Sequence, residues 1–379
     1  MSTTSAEWTK QDNIEQAEQK AVKLMKNYRV CVPKPGEAFL QECEQREPQG
    51  CEVLIRNDYT VVSAGTERAW SQDMNNAHPT FPYYPGYCGA GTVVAVGPEA
   101  RTCKVGDRVI VNWAGHQLYS IKNDWSVPTQ FVNTSGTRGA KFALEQSHIV
   151  QIPEGVDTLD ASFAHIASFS FNGVRKLHLE IGESCMVAGQ GILGVFALQV
   201  AGLSGAVPLM VSDFSAERRE RALKLGADYA LNPADSDYLD QINDITHGEG
   251  VRCVVEVTGS AAALQQALQY VAWEGRVSLL GCTRVPDAPI DFYRDVHGRG
   301  VQLFGAHTLS RARLESHPYH WTQEDDYRAY LKLVANGKMK TRELISRMLH
   351  PSQCTEVFAA MAGESHTPPM GLVFDWRTL

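Results

Sequence analysis

The chain has 379 residues, 44% of them hydrophobic and 21% charged, an ordinary globular composition with length enough for two domains and a sizeable core. Lys plus Arg number 35 against 43 Asp plus Glu, a formal net charge of −8 with no basic stripe, which argues against nucleic acid as the main partner. The opening M-S-T-T-S-A-E-W-T-K-Q-D-N holds no apolar signal core, so a soluble cytoplasmic protein is expected. The nine cysteines are scattered without a C-x-x-C pair and read as reduced thiols, most of them small core residues.

Residues 1–25 are polar, with Ile14, Ala17, Ala21, Leu24 and Met25 at helical spacing. They predict a short amphipathic helix, either a surface helix or a docking arm. From Tyr28 to about Pro153 the pattern turns to β. Arg29–Val32, Glu52–Val62, Ala90–Val96 and Arg108–Val111 are β-branched runs, punctuated at Pro33, Pro35–Gly36, Pro85–Gly86, Gly97–Pro98 and Gly106–Asp107. Short strands with such turns suggest a small barrel. Lys122 to Ser147 is polar and turn-rich and reads as an excursion, a hairpin or a lid.

A helix over 160–178 then leads into an α/β rhythm. Between Glu183 and Asp213 there is no charged side chain. A membrane-spanning helix is argued against by Pro208, by the β-branched second half and by three spaced glycines. Cys185–Ala188 reads as a buried strand; Gly189, Gly191 and Gly194 follow in G-x-G-x-x-G spacing. Val195–Gly202 reads as a helix, Val207–Val211 as a second strand, and Asp213 closes it 19 residues after Gly194. That is a dinucleotide fingerprint in its proper setting. Gly189 permits the tight turn, Gly191 lets backbone approach a pyrophosphate, and Gly194 lets helix and strand pack. The amides at the helix start, with Ile192 and Leu193, meet phosphate charge. Asp213 accepts hydrogen bonds from a ribose and repels a 2′-phosphate, favouring NAD over NADP, although Arg218 and Arg219 stand close downstream. Further helices are expected at Ala216–Leu225, Tyr238–Thr246 and Ala261–Tyr270. Strands are expected at Tyr229–Leu231, Val251–Val257, Arg276–Leu280 and Val301–Phe304, giving a doubly wound parallel sheet. Helices at Gln323–Asn336 and Ser352–Met361 and a strand at Leu372–Asp375 complete the reading.

Val62-Ser63-Ala64-Gly65-Thr66-Glu67, Pro85-Gly86-Tyr87-Cys88-Gly89-Ala90-Gly91, Val105-Gly106-Asp107-Arg108-Val109, the glycine fingerprint, Leu225-Gly226-Ala227-Asp228, Glu256-Val257-Thr258-Gly259 and Gly275-Arg276 together resemble the medium-chain dehydrogenase/reductase family. The segment Ala64–Glu67 and the stretch from Gly305 to Thr322 are similar to its bacterial sugar (guloside-type) and bacteriochlorophyllide hydroxyethyl dehydrogenases. The resemblance implies an α/β protein, a GroES-like β-barrel catalytic domain plus a doubly wound Rossmann domain. An N-terminal extension would span 1–25, the catalytic domain 26–160 completed by 309–379, and the NAD-binding domain 161–308. It also implies a homodimer or homotetramer, and Thr258 joins the cofactor-binding residues.

The departures from that family matter most. Its zinc members read like C-G-T-D and G-H-E where this chain has Ala64-Gly65-Thr66-Glu67 and Gly86-Tyr87-Cys88; His165 falls at the third ligand's place. The cysteine-rich structural zinc lobe is also missing, since Val111 to Ser147 contains no cysteine. Catalytic zinc needs about three protein ligands, and Cys88, His165 and Glu67 are a poor remnant, so a zinc-independent branch is expected. A side chain must then serve the substrate oxygen. Tyr87 offers a phenol, Thr66 matches the family's relay hydroxyl, His165 has the free pKa nearest neutrality, and Glu67 either orients a neighbour or pairs at the surface with a base such as Arg68. His116 is expected at the surface rather than the cleft. His317, Tyr319, His320 and Trp321 form a polar-aromatic cluster that either meets a ring-shaped substrate or packs domains. The resulting expectation is an NAD(H)-dependent oxidoreductase interconverting a secondary alcohol and ketone, its small-molecule substrate a sugar or polyol derivative, with neither nucleic acid nor membrane as partner. The competing readings are an NADPH-dependent quinone or enoyl reductase and a nucleotide-binding protein without catalysis.

Overall fold

The structure is a computed structural model that describes residues 24–124, 149–283, 289–313, 315–363 and 369–379. Residues 1–23 of the expected N-terminal helix, and the excursion from 125 onward, lie outside the described residues. Leu24 and Met25 depart from the helical expectation: they open strand β1 (Leu24–Cys31) and register against Arg46 and Gln45 of β2 (Phe39–Arg46). Cross-strand hydrogen bonding along that ribbon outweighs a helical period carried by few apolar residues.

The β-rich part continues through β3 (Glu52–Val62), α1 (Ala64–Ser71), β4 (Cys88–Val96), β5 (Arg108–Asn112), β6 (Tyr119–Asn123) and β7 (Val150–Gln151). Two short helices follow, α2 (Thr158–Ala161) and α3 (Ala164–Arg175), where the sequence suggested one. Asp157 caps the start of α2 by accepting from the Leu159 amide, and the break between the two helices falls at Ser162–Phe163.

The second half alternates. It runs β8 (Cys185–Ala188), α4 (Ile192–Leu203), β9 (Leu209–Ser212), α5 (Ala216–Lys224), β10 (Tyr229–Leu231), α6 (Tyr238–Ile245), β11 (Val251–Glu256), α7 (Ala261–Tyr270), β12 (Val271–Leu279) and β13 (Gln302–Gly305). The sheet order is β10-β9-β8-β11-β12-β13, every pair parallel. This is the doubly wound order, whose strand direction of growth reverses between β8 and β11; ligands bind outside the strand ends at such a reversal. All four residues of β8 and of β9 are buried, which is why their apolar runs carry no alternation.

The chain ends with α8 (Gln323–Ala335), β14 (Arg347–Leu349), α9 (Cys354–Ala362) and β15 (Leu372–Asp375). β15 pairs antiparallel with β3 across Leu372↔Val62 to Asp375↔Tyr59, so it enters the first sheet, of order β14-β15-β3-β4-β5-β7 with β6 also on β3. That sheet has its own core of Val53, Ile55, Val93, Val109 and Val111. A second apolar cluster joins the two halves: Tyr87, Cys88 and Ile110 from the first pack with Phe163, Ile166, Phe196, Tyr327 and Tyr330. Among the described residues no helix is long and apolar enough to cross a membrane.

Candidate active site

The fingerprint glycines differ in what surrounds them, and each difference has a use. Gly189 turns with φ +98°, and a Cβ there would sit 2.8 Å from Thr258 Cγ2. At Gly194 a Cβ would fall 1.9 Å from the Gly189 carbonyl oxygen, so the helix can approach the strand only without a side chain. Around Gly191 there is open space for 4 Å, the approach a pyrophosphate needs. The amides of Ile192, Leu193 and Gly194 start α4 and have no intrahelical acceptor. Across the reversal point, the buried Glu256 accepts hydrogen bonds from the Thr258 and Gly259 amides at 2.7 and 3.1 Å. Glu256 thus shapes the loop that holds Thr258 against the glycine turn, a role the sequence reading missed.

Asp213 directly follows β9, with Oδ2 accepting from the Gln190 amide at 2.8 Å and Oδ1 accepting from the Ser215 amide at 2.9 Å. The carboxylate is therefore fixed beside the glycine loop, with lone pairs to spare for ribose hydroxyls. Arg218 Nη1 stands 3.7 Å from Asp213 Oδ2. These residues fit a nicotinamide dinucleotide.

Tyr87 belongs to the first half of the chain and immediately precedes β4. It lies buried between aromatic rings, with ring centroids 5.3 Å from Trp113, 5.5 Å from His165 and 6.2 Å from Phe169. Burial pushes its phenol well above the ordinary tyrosine range, while hydrogen bonds with the Ser63 and Thr66 side chains pull the other way. Tyr87, Thr66 and Trp113 line one cavity of about 360 Å³. Trp113 is 54% exposed and its backbone sits at φ +50°, a left-handed conformation uncommon for a bulky residue. The loop holds it there: its amide donates to the Tyr87 carbonyl at 3.1 Å, and its carbonyl accepts from Lys122 Nζ at 2.8 Å. The next residues staple the same way, Gly115 to the Gly86 carbonyl at 3.1 Å and His116 to that of Pro85 at 2.7 Å.

His165, on the first turn of α3, is fully buried. Its Nδ1 bonds the Tyr327 hydroxyl and Gln323 Nε2, the latter at 3.1 Å, and its Nε2 has no partner. Burial, aided by the positive charges of Arg311 and Lys122, takes its pKa down to about 3. The expectation of an imidazole titrating near neutrality is corrected: desolvation keeps the ring neutral. The sign is definite. Unfolded His165 binds a proton below about pH 6.5 and the folded residue does not, so its contribution to stability falls as pH drops from 6.5 towards 3. Wild type is expected to lose stability over that window faster than a His165→Gln variant, by up to about 1.4 kcal/mol per pH unit. Urea melts of both proteins between pH 5 and 7 measure the difference; parallel pH dependence would refute it.

Two expectations about buried groups are also corrected. Glu67 is fully buried and does not pair with Arg68, and His116 is buried, not at the surface. Glu67 Oε1 accepts from the Ser63 amide at 3.0 Å, and its Oε2 lies 2.8 Å from His116 Nε2. His116 Nδ1 lies 2.8 Å from Thr60 Oγ1, which also accepts from the Trp376 indole at 2.8 Å. An indole can only donate, so Thr60 Oγ1 accepts from Trp376 while also bonding His116 Nδ1. This chain ties α1, which carries Thr66, to the loop that staples Tyr87. The sequence hid it because its members lie far apart.

The donor set does not suit zinc. Among the described residues no three His, Cys, Asp or Glu side chains converge to hold a metal ion. Ala64 has no donor, burial raises the Tyr87 phenol and the Cys88 thiol, and Glu67 is spent on Ser63 and His116. The polar-aromatic cluster lies elsewhere: Tyr319 stacks on His178 at 3.9 Å and Trp321 lies under Arg175 at 3.9 Å, against the far end of α3.

Residues 48–154 match the alcohol dehydrogenase GroES-like domain and residues 193–335 the zinc-binding dehydrogenase family. The chain belongs to the medium-chain dehydrogenase/reductase family, an oxidoreductase family acting on alcohols and sugars. Among relatives, L-threonine 3-dehydrogenase of Pyrococcus horikoshii is 33% identical over 301 residues, 76% of this chain and 83% of that one. D-guloside 3-dehydrogenase of Escherichia coli is 28% identical over 335 residues, covering 82% and 89%. A putative zinc-binding dehydrogenase from Sinorhizobium meliloti, solved bound to NADP, superposes with a TM-score of 0.75 at 18% identity, covering 93% of this chain and 99% of that one.

Proposed function

We propose that the protein is an NAD(H)-dependent, zinc-independent oxidoreductase that interconverts a secondary alcohol and a ketone, with a sugar or polyol derivative as substrate. The observation that carries the reading is the buried Tyr87 phenol, lining a cavity with Thr66 where the family's metal members place a ligand. A bound nicotinamide supplies the hydride acceptor or donor. Gly189, Gly191 and Gly194 with the amides of Ile192 and Leu193 hold its pyrophosphate, Asp213 its ribose, and Thr258 closes the loop opposite. In the reducing direction Tyr87 donates a hydrogen bond, then a proton, to the substrate oxygen, and Thr66 steadies the phenol. His165, neutral, packs edge-on against Tyr87 and fixes its ring. Asp213 supports NAD, although the S. meliloti structure holds NADP and Arg218 stands nearby. The division into an extension at 1–25, a catalytic domain at 26–160 with 309–379 and a nucleotide domain at 161–308, pairing of copies through the nucleotide domains, and a cytoplasmic setting belong to the same reading.

The test uses purified protein as it comes. Metal content is measured by mass spectrometry, and NADH or NADPH formation is followed with a panel of polyols and sugar derivatives with and without a chelator. Turnover with NAD, insensitive to chelation, is expected. One zinc per chain, or a preference for NADP, would overturn the corresponding part.

A further inference from the structure

The cavity that begins at Tyr87 and Thr66 reaches β1, where Arg29 lines it. No Asp, Glu or Lys is among its described lining residues; apart from His116, whose ring is turned to Glu67 and Thr60, Arg29 is the one basic side chain there. The strand fixes its place: Arg29 bridges Gln117, and the next amide, Val30, donates to the His116 carbonyl at 2.8 Å. Its partners are neutral. Nε donates to Gln41 Oε1 at 2.8 Å, Nη2 donates to the Tyr84 hydroxyl at 3.0 Å, and the guanidinium lies 3.9 Å over the Tyr84 ring. Gln41 is its cross-strand neighbour, so the head is braced from two sides. A guanidinium has five N–H donors, and two are used here. Those left, on Nη1 and Nη2, form the fork that grips a carboxylate with parallel hydrogen bonds. Between Arg29 and Tyr87 the walls are aromatic: Trp70 and Tyr83, stacked at 5.7 Å, with Tyr84 and Trp113. Such surfaces suit the apolar face of a ring whose hydroxyls point to the rim.

We infer that the substrate is a polyhydroxylated carboxylic acid of the sugar-acid class, with its carboxylate on Arg29 and its reacting alcohol or ketone carbon at Tyr87 and Thr66. A single guanidinium balances one negative charge, which favours a carboxylate over a dianionic phosphate. The inference rests on reading the Tyr87 cavity as the substrate site.

The experiment compares binding and turnover in wild type, Arg29→Gln and Arg29→Lys. Binding of D-glucuronate, D-galacturonate and D-gluconate is measured by calorimetry against D-glucose, D-galactose, sorbitol and glucose 6-phosphate. NADH formation is followed with the same compounds. An acid is expected to bind about tenfold to a hundredfold tighter than its neutral counterpart, a margin lost in Arg29→Gln, partly regained in Arg29→Lys and eroded by salt. Equal binding of acid and neutral forms, equal loss of both in Arg29→Gln, or tighter binding of the phosphate would overturn the assignment. Arg29-dependent acid binding without turnover would leave the subsite standing and remove the oxidoreductase reading. Turnover of neutral polyols untouched by Arg29→Gln would do the reverse.

Discussion

Tyr87→Phe is expected to lower kcat for ketone reduction by about a hundredfold or more while leaving NADH affinity unchanged. The size follows from what a positioned proton donor contributes, typically two to four orders of magnitude. The selectivity follows from position, since Tyr87 immediately precedes β4 and the residues proposed to bind the nucleotide cluster at the ends of β8, β9 and β11. Phenylalanine keeps the ring that packs against Trp113, His165 and Phe169, so the fold should hold. The pH behaviour adds a second check. Because burial raises the Tyr87 phenol, it stays protonated through neutral pH, and reduction by wild type should be flat from about pH 6 to 9. Oxidation needs the phenolate and should keep climbing with pH across that range. With His165 held at about 3, no imidazole limb is expected near pH 6.5. Stopped-flow hydride transfer with NADH fluorescence titration separates the terms. A Tyr87→Phe enzyme with wild-type kcat would remove Tyr87 from the chemistry.

The largest stability effect is expected at Glu67. Glu67→Ala leaves His116 Nε2 and the Ser63 amide without their partner in a site closed to water. Leaving a buried polar group unsatisfied costs about 1–3 kcal/mol, so the two together amount to on the order of 10 °C in melting temperature for a chain of this size. Replacing both partners with apolar residues, Glu67→Leu with His116→Phe, should cost less than Glu67→Ala alone, because the imidazole is no longer orphaned and only the Ser63 amide stays without its acceptor. Thermal melts of wild type, both single variants and the pair give the coupling. Additive losses would mean that the two side chains do not act on one another.

The nucleotide half was legible because backbone geometry dictates its residue types. Only glycine tolerates the +98° turn at 189 or the 1.9 Å approach at 194, and strands buried on both faces must be apolar throughout. The β2 ribbon escaped notice since Phe39–Arg46 is half-solvated and carries few apolar residues. The α1 helix escaped because Ala-Gly-Thr-Glu reads equally well as a turn. Tyr87, Thr66 and His165 were named from resemblance to a family, and their surroundings were not readable. Tyr327 reaches His165 from 162 positions away and Trp376 reaches Thr60 from 316. Such convergences depend on how layers stack, which local periodicity does not encode. Burial then reversed the acid–base reading of His165 and moved Glu67 and His116 from solvent to the interior.

The seat of β15 has a bearing on biosynthesis. It lies between β14 and β3, well inside the first sheet, and Trp376 just beyond it completes the hydrogen-bond chain through Thr60 to His116. While a ribosome is still making the nucleotide-binding half, the earlier sheet keeps the Tyr59–Val62 end of one flank of β3 open and its polar interior incomplete. The nucleotide half, contiguous in the chain, is free to fold first. The catalytic half matures only when the last strand arrives, and until then its bare edge needs shielding from neighbouring nascent chains.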